Sequence, residues 1–250
     1  LAIVPMTRGS GASLHLLRAE SPGPQVGKLV PKMHQTAKIL YGIYVALTLL
    51  QIILLLAGGM PLFDAVTTAF GTAGTGGFAV KNDSMAGYSF YLQTVVTVFM
   101  AVFGINFNIF YLLLIREFAK AFFNEELRVY LGIMLGSIAL VTVNISHLYP
   151  SVREALHHAA FQVSSIMTTT GFATADFNLW PGFSHSILVL LMFIGACAGS
   201  TGGGLKVSRI VIGFKSVLTY LGAFLHPRAV RKVCLLYTSD AADDGERVDL

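Results

Sequence analysis

Four stretches of this chain contain no Asp, Glu, Lys or Arg: between Lys38 and Asp64, Asp83 and Arg116, Arg128 and Arg153, and Asp176 and Lys206. Each holds the roughly 20 apolar residues that a helix needs to cross about 30 Å of hydrocarbon. A helix buried in a soluble domain normally shows a polar stripe, and these show none. The whole chain agrees: 54% of its residues are hydrophobic and 12% charged, where soluble domains carry about twice that charged share. The bilayer is the expected solvent and an all-α membrane protein the expected fold class.

The net charge of +4 does not point to nucleic acid, because the basic residues sit between apolar runs rather than on one polar domain. Arg8, Arg18, Lys28, Lys32 and Lys38 precede the first span. Arg116, Lys120 and Arg128 lie between the second and third, and Lys206, Arg209, Lys215, Arg228, Arg231 and Lys232 follow the fourth. The opposite loops hold only Lys81 and Arg153, so the three basic segments are expected in the cytoplasm. Cys197 and Cys234 have no metal-ligand spacing, and neither a zinc site nor a disulfide framework is indicated. The chain begins at Leu1 without a signal-peptide pattern, and residues 1–5 read as the tail of a helix lost to truncation.

Between spans one and two, and again between three and four, lies an apolar segment too short to cross: Asp64 to Phe78 and Glu154 to Phe172. Each opens with an acid before Ala, a favourable charge for a helix N-terminus. Each closes on threonine and glycine and then Gly-Phe-Ala, at residues 77–79 and 171–173. Span, short helix, Gly-Phe-Ala, span is therefore an internal repeat. The expected architecture is tandem helix–pore-helix–helix repeats with re-entrant filter loops. The boundaries fall at 1–37 (end of a preceding helix and a linker), 38–118 and 119–233 (two repeats) and 234–250. That last stretch turns abruptly acidic and polar and reads as non-native sequence.

Thr/Gly backbone at membrane depth is tolerated only where it lines water, ions or protein. Its productive use is a selectivity filter, whose carbonyls replace the hydration shell of a cation. Glycine supplies the positive φ that aims carbonyls at one axis, and the short helix turns its negative C-terminal end toward the ion. Thr75, Gly76, Gly77, Thr168, Thr169, Thr170 and Gly171 are the candidate ion-binding residues. Small-residue packing loops are the bland alternative, which the duplication disfavours.

Residues 195–206, Gly-Ala-Cys-Ala-Gly-Ser-Thr-Gly-Gly-Gly-Leu-Lys, lack the Gly-Lys-Ser/Thr and preceding strand of a phosphate loop. So many glycines break a helix, each at about 1 kcal/mol against alanine. Gly199, Ser200, Thr201, Gly202, Gly203 and Gly204 are read as a movable gate loop on the cytoplasmic side of the filter. Small-residue helix packing through Gly195 and Gly199 is the alternative. Lys206 is read first as an interfacial anchor, and second as a donor to loop carbonyls. Asn106 and Asn108 fall inside span two, where a continuous helix puts them about 200° apart. His157 and His158 read as packing residues, and Asn82 and Asn144 open sequons by pattern only.

The run from Cys197 to Lys206, with Arg18-Ala-Glu-Ser-Pro-Gly-Pro24 and Thr168-Thr-Thr-Gly-Phe172, resembles the TrkH/TrkG/KtrB family of Trk-type potassium uptake proteins. The resemblance covers residues 1–233. It implies four helix–pore–helix repeats around one pore in a bacterial inner membrane, this chain holding the second and third. It also implies a homodimer, a cytosolic TrkA-like nucleotide-binding regulatory subunit, and potassium as transported ion at the filter residues. Gly77 and Gly171 would be the filter glycines, and 199–204 the gating loop. No cofactor and no nucleic-acid partner are expected. Symport and passive conduction both stay open. Two repeats alone cannot enclose a pore, so the first and fourth would have to come from the rest of the chain. Another monovalent cation, a non-transporting assembly subunit and an intramembrane enzyme are the rival readings. The last lacks an acid within any span or a paired catalytic set.

Overall fold

The computed structural model describes residues 33–225, and these are helical, with one isolated bridge between Ile194 and Leu205. The motif at 18–24, the basic residues before 33 and after 225, Cys234 and the tail 234–250 lie outside the described residues. Helix α1 (Met33–Ala57) is followed by the short α2 (Leu62–Ala73), then α3 (Phe90–Phe103), α4 (Phe107–Leu114) and α5 (Phe118–Phe122). The order then recurs. The long α6 (Glu125–Ile145) leads to the short α7 (Val152–Met167), then α8 (Gly182–Phe193) and α9 (Val207–Leu225).

Local signals place the helix starts. Asn124 and Ser151 accept from the backbone N–H three residues on, at 3.0 and 3.2 Å, and cap α6 and α7. Pro61 and Pro181 precede α2 and α8, where a missing N–H removes no helical bond. Asp64 and Glu154 stand in the first turns of the two short helices.

The two units pack into one body. Phe172, from the second unit, is buried with Leu55, Ala65 and Ala69 of the first. A second core gathers Met134, Val141 and Ile145 of α6 against Ala159, Val163 and Met167 of α7. One end of the bundle carries Lys81 over the Tyr88 ring at 4.1 Å and Arg153 over Phe90 at 5.2 Å. The start of α6 carries the Glu125–Lys215 ion pair at 2.6 Å.

By length and composition Lys38–Ala57 and Glu125–Leu148 can cross a membrane unaided. The second expected span is not one helix: α3 and α4 meet at 91°. Asn106 does not lie within a helix but is the buried N-cap of α4, accepting from Asn108 N–H at 3.0 Å. At Gly104 a Cβ would come within 2.3 Å of the Tyr130 hydroxyl, which donates to the Ala101 carbonyl at 3.0 Å. Asn106 and Asn108 are therefore not placed about 200° apart on one continuous helix. The fourth span breaks, as expected from its glycines. Helix α8 is about 18 Å long at 1.5 Å per residue, and residues 194–206 form a loop before α9.

Candidate functional site

The chain leaves α2 and α7 by one backbone plan, repeated bond for bond. Gly74 N–H donates to Phe70 and Thr168 N–H to Ser164; Thr75 donates to Thr72 and Thr169 to Ile166. Gly76 and Gly77 both donate to the Gly71 carbonyl, as Thr170 and Gly171 both donate to that of Ser165. The dihedrals alternate alike: φ is +49° at Thr75 and +59° at Thr169, then +63° at Gly77 and +91° at Gly171. The glycines were expected to hold the left-handed positions; the threonines were not. A left-handed φ costs an L-residue about 1–2 kcal/mol, so Thr75 and Thr169 are held there by their surroundings.

The two loops touch. A Cβ on Gly77 would lie 2.0 Å from the Thr170 carbonyl oxygen, a backbone approach that only glycine permits. All seven candidate residues thus come together. Behind the second loop stands a ladder of side chains from α7. Ser165 Oγ donates to Phe172 O at 2.6 Å and accepts from Gly171 N–H at 3.1 Å. Gln162 donates to Ala175 O at 2.9 Å, and His158 Nδ1 is 3.0 Å from Thr174 Oγ1. His157 bonds Gln93 at 2.7 Å and stacks on Phe90, so both histidines pack, as read. In the first unit Asp64 instead accepts from the Tyr88 hydroxyl at 2.7 Å. Burial, reinforced by that bond, pushes the Tyr88 phenol up to about 12.

The glycine-rich loop closes on itself and then on both threonines. Its neck is pinched where Gly195 N–H donates to Leu205 O at 2.7 Å, and a Cβ on Gly195 would lie 2.1 Å from Gly203 O. Gly195 and Gly199 are in the loop, not on a helix face, so small-residue helix packing does not describe them. From the tip, Thr201 O accepts from Thr75 Oγ1 at 3.0 Å and Gly203 N–H donates to Thr169 Oγ1 at 2.7 Å. The break in the second span holds the near side. Cys197 and Thr201 N–H donate to Gly104 O and Phe103 O at 3.0 and 3.4 Å, and Gly199 O accepts from Phe107 N–H at 3.2 Å. Lys206 donates to Gly202 O rather than serving only as an interfacial anchor.

Sequence reasoning missed three parts of this site: the left-handed strain at the two threonines, the Gly104–Asn106 break, and Glu126, whose Oε1 accepts from Ala198 N–H at 2.6 Å. A Gly-x-Asn stop and restart inside span two was the available signal. Among the described residues no group of three or more His, Cys, Asp or Glu is arranged to hold a metal ion.

The family profile described as "TrkH: Cation transport protein" matches residues 2–238. The Trk system potassium uptake protein TrkH of Salmonella typhimurium is 38% identical over 241 residues, 94% of this chain and 49% of that protein. TrkH of Escherichia coli K12 is 36% identical over the same coverage. The crystal structure of the potassium transporter TrkH from Vibrio parahaemolyticus superposes with a TM-score of 0.76 at 33% identity, over 84% of this chain and 46% of that one. The chain spans about half the length of the curated relatives it matches.

Proposed function

The chain belongs to the TrkH family of cation transport proteins, and from that premise we propose that it supplies half of a potassium-selective filter and the gate beneath it. The observation that carries this reading is the double contact of one glycine-rich loop with two Thr/Gly loops of one backbone plan, at Thr75 and Thr169. Alternating left- and right-handed residues turn successive peptide planes so that their carbonyls share one side. Such a row of oxygens can replace the hydration shell of a potassium ion. Helices α2 and α7 end at these loops, directing their partial negative charge there.

Two edges of the site support a ring of more than two repeats. Phe172 is 1% exposed, its ring end 3.0 Å from where a Cβ on Gly71 would stand, while the matching Phe78 is 80% exposed. Gly77 abuts Thr170, while the matching Gly171 faces open space. By the same packing rule Phe78 belongs against a preceding repeat and Gly171 against a following one. The boundaries 38–118 and 119–233 then delimit the second and third of four repeats, and this half does not conduct alone. In the full-length protein, a multi-pass protein of the bacterial inner membrane, the proposed activity is potassium uptake, with no enzymatic step and no cofactor. A homodimer and a TrkA-like nucleotide-binding regulatory subunit complete the proposed assembly. The glycine-rich loop is the proposed gate: it lies across the inner ends of both filter loops, and its Gly, Ser and Thr residues give it backbone freedom with little bulk.

The test is uptake by the full-length protein carrying Gly171→Ser. Loosened discrimination, read as stronger sodium inhibition of potassium uptake, is expected. Unchanged sodium inhibition at normal expression contradicts the filter assignment.

A further inference from the structure

We infer that Glu126 is a positioning residue for the gate, an acidic latch that holds the root of the glycine-rich loop in its seated position beneath the filter. The inference rests on the gate reading above and adds the residue that sets the closed state.

Glu126 is the only Asp, Glu, Lys or Arg among the buried described residues, at 1% exposure. Its neighbour Glu125 occupies the same first turn of α6 and pairs with Lys215 near the surface. An acid in a helix's first turn gains from the helix dipole whether buried or exposed, and Glu125 already supplies that gain. Burying a second carboxylate is unfavourable without a specific partner. One such partner is Ala198 N–H, 2.6 Å from Oε1 and one residue before Gly199. Residues on consecutive positions of one turn therefore bracket the loop: Glu126 at its entry and Glu125, through Lys215 of α9, beyond its exit.

The contacts on the loop differ in kind. Those to Phe103, Gly104 and Phe107 are neutral and largely backbone, and those to Thr75 and Thr169 involve hydroxyls. The Glu126 bond brings an acidic side chain to a backbone donor away from water, where charge-assisted bonds are strongest. Without it Ala198 N–H is an orphan donor in the protein interior, and the seated loop loses its preference over a displaced one. The bond reaches the loop's root and none of the filter residues. Its loss should therefore change how often the gate opens, not which ion the filter accepts.

The experiment uses the full-length protein in native membranes, with rubidium flux and thiol accessibility as separate readouts. Accessibility is measured for Ser200→Cys in a background with Cys197 and Cys234 replaced by alanine, using an impermeant thiol reagent applied from the cytoplasmic side. Glu126→Ala is expected to raise flux several-fold, leave potassium-over-sodium preference unchanged and speed modification at position 200. Glu126→Gln keeps an acceptor oxygen and should fall between. On a background deleted for residues 200–203, which by itself should raise flux, Glu126→Ala should add nothing. Unchanged flux and accessibility in the Ala variant at wild-type membrane levels would overturn the latch. An equal gain on the deletion background would also overturn it, since Glu126 would then act elsewhere. If the Ala variant does not reach the membrane, accessibility in the Gln variant decides, and a rate equal to the parent's counts against the latch. A deletion that leaves flux unchanged refutes the gate reading itself; Glu126's hold on the loop is then still read from accessibility alone.

Discussion

The two Thr/Gly loops share every backbone bond from the end of the short helix to the glycine, yet they are supported differently. The loop after α7 is backed by Ser165, Gln162 and His158, and its phenylalanine is sunk into the other unit. The loop after α2 has Gly71 where Ser165 stands, and its phenylalanine is open. What is common to both is the backbone plan, which an ion's coordination would require. What differs is the buttress, which depends on each repeat's neighbours. Gly71 is instructive: its carbonyl accepts two loop N–H groups as that of Ser165 does, and its missing side chain leaves room for the Phe172 ring. The unit that gives up its own side-chain buttress thereby accommodates the other's phenylalanine.

The largest expected effect separates the two glycines. Gly77→Ala would set a Cβ 2.0 Å from the Thr170 carbonyl, against rigid backbone. In this chain by itself the melting temperature in detergent should fall sharply. Gly171→Ala meets nothing among the described residues and carries only the strain of its φ of +91°, about 1–2 kcal/mol. In this chain by itself its melting temperature should fall only slightly. At full length, where a following repeat is proposed against Gly171, the two substitutions should become comparably destabilising, and a Gly171→Ala variant that stays mild there would break the proposed ring.

A smaller effect sharpens the same contrast. Phe172→Ala empties a buried site and should destabilise by roughly 3 kcal/mol or more, read as a lower melting temperature in detergent. In this chain by itself Phe78→Ala should leave the melting temperature almost unchanged, because the ring is exposed. In the full-length protein the two substitutions should become comparable. A Phe78→Ala variant that stays harmless at full length would break the proposed ring.

The long spans and the duplicated short helices were legible because charge counts and segment lengths report solvent and reach directly. The two Thr/Gly loops and the glycine-rich loop were legible as breaks in helix because threonine and glycine at membrane depth have few other uses. The break at Gly104–Asn106 was missed because an apolar count does not register a helix that stops and restarts. The left-handed backbone of Thr75 and Thr169 was missed because that conformation is expected at glycine, and only the packed loops hold a threonine there. Nothing in the sequence sets Glu126 apart from its neighbour Glu125; its burial is set by a loop that arrives 72 residues later. Of the two readings of Lys206, interfacial anchor first and donor to loop carbonyls second, the second describes its bond to Gly202 O.

The central claim is that one cation sits against the carbonyls of both loops. Anomalous diffraction from crystals of the full-length protein grown with thallium, a heavy stand-in for potassium, tests it directly. The account predicts thallium density within coordination distance of backbone oxygens in residues 75–77 and 168–171 together. Thallium bound elsewhere in a transport-competent protein, with no density at either loop, would contradict it.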